Sequence, residues 1–248
     1  MDSGLYSTYS GLTANADMLE VLSNNLANLN TTGYKADESF FRLYNRAVTE
    51  SQRAPLDRAI NDSAVVQGSY TSFVAGPVTT TGRDLDVALE GVGFFVVETP
   101  AGTRYTRNGN FHVSSDRHLV TSEGYPVLGR RKPIELPIGK VDISQSGEIH
   151  VNGAPVDALK IVAFDDNRAL QKVGNSLFQL GQSGVSEKET KDVAVRQGSL
   201  EQSNVNPVQQ MIMIINMMRQ FEGLQKAMST VMNTVNDRSV NQVGRPIL

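Results

Sequence analysis

The side chains best equipped for chemistry in this chain are three histidines, His112, His118 and His150. Their spacing matches no metal-ligand pattern, and they read as surface or strand residues. Gly91-Val-Gly93 opens like a dinucleotide loop, but Val96 stands where the third glycine belongs and no helix pattern follows. Asp142-Ile-Ser-Gln-Ser-Gly-Glu148 echoes a calcium loop, yet it is short of acidic ligands and its last ligand position falls on Gly153. A hairpin turn explains that stretch better. Asp84 and Asp86 form a carboxylate pair of the sort glycosidases use, as any β-rich chain can offer. Neither a nucleophile-elbow serine nor a phosphate-binding loop is present. Cysteine is absent, which removes thiol catalysis, disulfides and thiolate metal sites. The expectation is a protein without catalytic, cofactor-binding or metal-binding residues. The alternative, an enzyme or ligand-binding β domain, requires a concave pocket with converging polar groups.

If chemistry does not organise the chain, its elements must. With 248 residues, 40% hydrophobic and 20% charged, it can fold as one or two domains with a proper core. A net charge of −3 leaves no basic excess for phosphates, so no nucleic-acid partner is expected. The dense basic run Arg130-Arg131-Lys132 reads as a solvated turn. No apolar run approaches the ~18 residues of a membrane span. The opening Met1-Asp2-Ser3-Gly4-Leu5-Tyr6 lacks the basic start and apolar core of a secretory signal, so the expectation is a cytosolic chain or export without a cleaved signal.

Both ends carry heptad patterns. Leu5, Leu12, Leu19 and Leu26 fall seven apart, with Leu22 and Leu29 on the second seam position. In the C-terminal stretch Met211, Ile214, Met218, Phe221, Gln225, Met228, Met232 and Val235 alternate spacings of three and four, and Gln225 alone is polar. The first helix is expected to start at Asp2 or Ser3 and end near Asn30-Thr-Thr-Gly33, with Gly33 left-handed. The second should start at Asn206-Pro207, Asn as cap and Pro at the first helical position, and run to about Asp237. Gly223 within it calls for a close packing contact or a bend. Residues 1–34 carry three acids and no base, whereas residues 208–248 carry four bases against two acids, which favours pairing of the two ends.

Residues 36–67 read as an irregular or partly helical connector. From about Gly68 the period changes to short apolar runs such as Gly93-Phe-Phe-Val-Val97 and Lys160-Ile-Val-Ala-Phe164. Four turn pairs bound them: Asn108-Gly109, Glu123-Gly124, Ser146-Gly147 and Asn152-Gly153, the two Asn-Gly steps favouring type I′ hairpins. The fold class is therefore α+β. Long N- and C-terminal helices pair as a coiled-coil-like unit around a central antiparallel β-rich domain. The expected divisions are residues 1–35 (N-terminal assembly helix), 36–67 (connector), 68–195 (β domain) and 196–248 (C-terminal assembly helix and tail).

At three places the residues resemble a known family, the axial rod and hook proteins of the bacterial flagellum. Ser23-Asn-Asn-Leu-Ala-Asn28 followed by Asn30-Thr-Thr-Gly-Tyr-Lys35 is similar to that family's N-terminal signature. Gly91-Val-Gly-Phe-Phe-Val-Val97, Tyr105-Thr-Arg-Asn-Gly109 and Leu119-Val-Thr-Ser-Glu-Gly-Tyr-Pro-Val-Leu-Gly129 resemble its β-domain signature. Gln197-Gly-Ser-Leu-Glu-Gln-Ser-Asn-Val-Asn-Pro-Val208, with Arg219-Gln-Phe-Glu222 downstream, resembles its C-terminal segment. The resemblance implies a structural rod subunit that transmits torque, its partners being copies of itself and other rod proteins. It also implies delivery by the flagellar type III export apparatus without signal cleavage, and a place in the basal body. The length and the opening residues are most similar to proximal rod members, and the tail Val243-Gly-Arg-Pro-Ile-Leu248 departs from distal ones, with a distal rod or other hook–basal-body axial protein as the alternative. On this reading the assembly interface comprises Leu5, Leu12, Leu19, Leu22, Asn25, Leu26, Asn28 and Leu29 at one end. At the other it comprises Met211, Ile214, Met218, Phe221, Met228, Met232 and Val235. Asn25 and Asn28 are expected to fix register between packed helices.

Overall fold

The computed structural model describes residues 2–44, 63–181, 186–190 and 193–243. The chain divides into two compact units: Met1–Leu26, Asp37–Tyr70 and Asn206–Leu248 form one, Ala27–Ala36 and Thr71–Val205 the other.

The first unit holds helices α1 (Asp2–Ala27) and α2 (Pro207–Val243). Asn206 caps α2, its Oδ1 accepting the N–H groups of Val208 (3.1 Å) and Gln209 (3.2 Å), which satisfies two orphan donors of the first turn. No glycine or proline stands between Asp237 and Gly244, and α2 runs past Asp237 to Val243, about 55 Å at the usual rise. By contrast, α1 ends at Ala27, ahead of the anticipated stop. The chain turns at Asn28, whose carbonyl accepts Thr31 N–H (3.2 Å) and whose Oδ1 accepts the Thr31 hydroxyl (3.2 Å). Gly33 is left-handed (φ 66°), but in the strap beyond the helix. Gly223 has open space where a Cβ would sit, so neither close packing nor any other contact explains it in the single chain. The presumed connector is not irregular where it is described. It forms strands β1 (Asp37–Tyr44) and β2 (Ser63–Thr71), which pair as a ribbon, in keeping with the β-favouring aromatics of the first and Ala-Val-Val of the second. Residues 45–62 lie outside the described residues.

A six-stranded antiparallel sheet dominates the second unit. At its middle, β5 (Phe94–Thr99) and β6 (Gly102–Thr106) form a hairpin. On one side follow β14 (Leu177–Leu180) and β13 (Leu170–Gly174), on the other β12 (Ile161–Ala163) and β15 (Lys188–Glu189). A three-stranded sheet is built from β9 (Val141–Ile143), β10 (Glu148–Val151) and β11 (Ala154–Ala158). Three ribbons complete the body: β3 (Val78–Thr80) with β17 (Ser199–Glu201), β4 (Val87–Glu90) with β16 (Ala194–Gln197), and β7 (His112–Val113) with β8 (Leu119–Val120).

The unbroken apolar run of β5 reflects burial on both faces of the sheet. Side chains alternate across a strand, so Phe95 and Val97 enter one core with Phe111, Val127 and Ile134, while Phe94 and Val96 enter the other with Phe164 and Phe178. Of the two Asn-Gly steps, Asn152-Gly153 makes the anticipated hairpin, with φ of 53° and 82° between Val151 and Ala154. Asn108-Gly109 does not. Gly109 is pressed against the Val87 carbonyl with no room for a Cβ, and its own carbonyl accepts Val87 N–H (3.0 Å). The glycine there allows close backbone approach, not a left-handed turn.

Phe95 is fully buried with its ring 5.1 Å from that of Phe111. Phe95→Ala should therefore lower stability by about 3–5 kcal/mol. Urea unfolding followed by near-ultraviolet signal checks this, with a reduced midpoint and an unchanged slope as the expected outcome.

Candidate functional site

The three stretches that carry the family resemblance meet at one buried carboxylate. Glu201, on β17, is 1% exposed and lies between two equally hidden cations, Lys35 (1%) and Arg107 (4%). Its Oε1 accepts from Lys35 Nζ (2.5 Å) and from the Gly76 N–H (3.0 Å), and its Oε2 from Arg107 Nη1 (3.3 Å). Lys35 Nζ also donates to the Val74 carbonyl (2.9 Å). Arg107 reaches the carbonyls of Leu89 (3.3 Å) and Gly91 (2.6 Å), with its guanidinium 5.3 Å from the centre of the Phe94 ring. Burial lowers the pKa of both Lys35 and Arg107, and the Glu201 charge opposes that shift in each.

Backbone bonds draw the straps together around this cluster. Gly33 N–H donates to the Glu201 carbonyl (2.8 Å), Ala36 N–H to Asn204 Oδ1 (2.7 Å), and Asn204 N–H to the Tyr34 carbonyl (3.4 Å). Asn204 Nδ2 donates to the carbonyls of Ser72 (2.9 Å) and Val74 (3.1 Å). Thr32 donates its hydroxyl to Asn108 Oδ1 (2.8 Å). Gly33 packs so tightly on the backbone of Arg107 and Asn108 that any Cβ would overlap it. Tyr34, Ala36 and Val205 form a small apolar cluster, with Leu29 against it. Heptad and turn reasoning does not find this arrangement, since its three charges lie far apart in sequence. One signal was available: each resembling stretch contributes a single charged residue to the cluster from a mostly uncharged context.

The expected assembly residues fall in several environments. In α1, Leu22 is buried, while Leu12, Leu19 and Leu26 are half-buried. Leu29 lies beyond the helix end, in the strap. Asn25 is 1% exposed, and its amide mimics a strand partner: Nδ2 donates to the Asp37 carbonyl (2.8 Å) and Oδ1 accepts Asp37 N–H (2.9 Å). Asn28 caps the turn already described. In α2, the more covered positions are Gln210, Ile214, Met217, Phe221, Leu224 and Met228, again spaced four and three. Ile214, Phe221 and Met228 belong to the anticipated seam, whereas Met211, Met218, Gln225 and Met232 are exposed. Leu5 lies in α1 and Val235 in α2. A Cβ added to Gly11 of α1 would stand 3.5 Å from Leu224 of α2.

The histidines are dispersed. His112 lies near Arg83 (3.3 Å), His118 near Glu135 (3.7 Å), and His150 on β10 opposite Asp142. Asp142–Glu148 forms the β9–β10 turn, with Ser144 accepting Gly147 N–H (2.9 Å). Asp86 is buried and accepts the Thr81 hydroxyl (2.6 Å). Arg83, Asp84, Val113, Arg117 and Ile138 border an open groove. Among the described residues no acidic, histidine or cysteine group is arranged to hold a metal ion, and no helix is long and apolar enough to cross a membrane.

Terminal helices joined through bonded straps to a β body, with the buried charges used to fasten chain segments, define a structural subunit. The sequence comparisons give its family. The chain matches family models for the flagella basal body rod protein at residues 5–35, the flagellar hook protein FlgE/F/G D1 domain at 88–151 and the flagellar basal body rod FlgEFG protein C-terminal at 196–237. It is 32% identical to the basal-body rod protein FlgF of Caulobacter vibrioides over 92% of this chain and 93% of that one. It is 31% identical to FlgF of Rhizobium meliloti over 98% and 99%, and 32% identical to FlgG of Borreliella burgdorferi over 93% and 95%. The chain belongs to the flagellar basal-body rod protein family, and it is a structural protein of the rod.

Glu201→Gln leaves two buried cations without a counter-charge and should cost about 3–5 kcal/mol. Lys35→Met and Arg107→Met each leave one ion pair standing and should cost less. Urea titration of the three variants checks the ranking, and equal losses would contradict it.

Proposed function

We propose that this subunit builds the rod by packing α1 and α2 as a coiled-coil-like pair against copies of itself and of other rod proteins. One observation carries the reading. Between Val208 and Met218, Val208, Met211, Ile212, Met213, Ile215 and Met218 are exposed, while Ile214 and Met217 lie on the more covered side. A helix apolar all round belongs inside a larger assembly. One partner helix covers a single stripe, so the remaining sides call for several neighbours, as in a tube of subunits rather than a dimer. The Gly11–Leu224 approach supports pairing of the two helices within a chain. Methionine, with its flexible thioether chain, suits contacts with non-identical neighbours.

Residues 1–35 and 196–248 then act as assembly segments, with residues 36–67 as a connector and residues 68–195 as a β-rich domain. The subunit transmits torque and catalyses nothing. It reaches the basal body through the flagellar type III export apparatus without signal cleavage. Isolated amphipathic helices are marginal in water, which suits a chain that orders its ends on assembly. Identity is the same 32% to one FlgF and one FlgG, so the opening Met1–Tyr6 carries the preference for a proximal over a distal position.

Met218 is 51% exposed in the single chain. Met218→Asp should leave the monomer's thermal unfolding within about 0.5 kcal/mol of wild type and abolish rod assembly and motility. Phe221→Asp should also block assembly, with the β body still folded. Replacing His112, His118 and His150 together by Gln should preserve motility. Swarming assays and micrographs of basal bodies check these outcomes; intact rods in a deletion strain would defeat the structural role.

A further inference from the structure

We infer that the buried Lys35–Glu201–Arg107 cluster makes docking of the N-terminal strap, residues 31–36, conditional on prior docking of the C-terminal strap, residues 199–205. The N-terminal strap bonds the β body directly, through the Thr32 hydroxyl to Asn108 Oδ1, Lys35 Nζ to the Val74 carbonyl, the Ser176 hydroxyl to the Thr32 carbonyl and Ser72 N–H to the Ala36 carbonyl, but its burial of charge depends on the other strap. The C-terminal strap has its own attachments to the β body: β17 pairs with β3, Gln202 N–H donates to the Pro77 carbonyl (2.9 Å), and Glu201 meets Arg107 and the Gly76 N–H. The N-terminal strap gains much of its attachment from the C-terminal one, through Gly33 to the Glu201 carbonyl, Lys35 to the Glu201 carboxylate, Ala36 to Asn204 Oδ1, and Tyr34 from Asn204 N–H.

Charge enforces the same order. With Glu201 in place, Arg107 already has a counter-ion, and Lys35 enters a site of compensating charge. Without Glu201, Lys35 would have to lose its water beside an uncompensated guanidinium, which buried like charges do not tolerate. A chain emerging N-terminus first, from a ribosome or any narrow conduit, exposes residues 31–36 long before residue 204. The N-terminal strap therefore stays undocked until the far end of the chain is free. This ordering rests on the contacts within the chain and not on the rod reading.

Amide hydrogen exchange on the full-length protein tests the inference, using wild type, Glu201→Gln, Asn204→Ala and Lys35→Met. Glu201→Gln and the milder Asn204→Ala should speed exchange across residues 31–36 at least tenfold while protection of β5, β6 and β12 persists. Lys35→Met should leave protection of residues 199–205 within threefold of wild type. Wild-type protection of residues 31–36 in Asn204→Ala would overturn the inference, even if Glu201→Gln fails to fold. Equal loss of both straps in Lys35→Met would overturn it as well, because docking would then be mutual rather than ordered.

Discussion

A carboxylate taken out of water must find its counter-charges within reach, and Glu201 finds them on two segments remote in sequence. That requirement fixes much around it. Lys35 places the strap after α1, Arg107 anchors the end of β6 against Leu89 and Gly91, and the Gly76 amide brings in the approach to β3. Gly33 must be glycine twice over, for its left-handed backbone and for its closeness to Arg107 and Asn108. Replacing such a cluster by apolar residues is often neutral for stability.

The β body supplies the rigidity this fastening needs. Because β5 is buried on both faces, its side chains belong to two cores at once, and aromatic contacts such as Phe94–Phe178 (5.9 Å) and Phe95–Phe111 (5.1 Å) stand on either side of one strand. Arg107 follows directly on β6, the hydrogen-bonded neighbour of β5. Its guanidinium is thus presented from a well-ordered backbone, and the position of the charge is fixed by packing rather than by the ion pairs alone.

Where a feature depends on local chemistry, it was legible in the sequence. Asn206-Pro207 announced the start of α2, Asn152-Gly153 announced a type I′ turn, and the Phe-Phe-Val-Val run announced a strand. Asn108-Gly109 shows the limit: the same dipeptide is placed by a tertiary contact with Val87, which no local rule contains. The more covered stripe of α2 differs in part from the heptad frame, for a related reason. Methionine and isoleucine surround the first part of that helix, so two frames are almost equally apolar, and Leu224 facing Gly11 decides in favour of Met217 and Leu224 over Met218 and Gln225. The Glu201 cluster obeys no periodicity, since its three charges lie far apart, and its one sequence signal is a lone charge within each mostly uncharged stretch.

The same three charges bear on how such subunits diversify. A chain of this kind keeps its fastening while it holds a lysine after Gly-Tyr, an arginine after Tyr-Thr and a glutamate after Ser-Leu, whatever else changes. The joint rests on Lys35, Arg107 and Glu201 and touches none of the exposed methionines and isoleucines of α2, so substitutions there leave it intact.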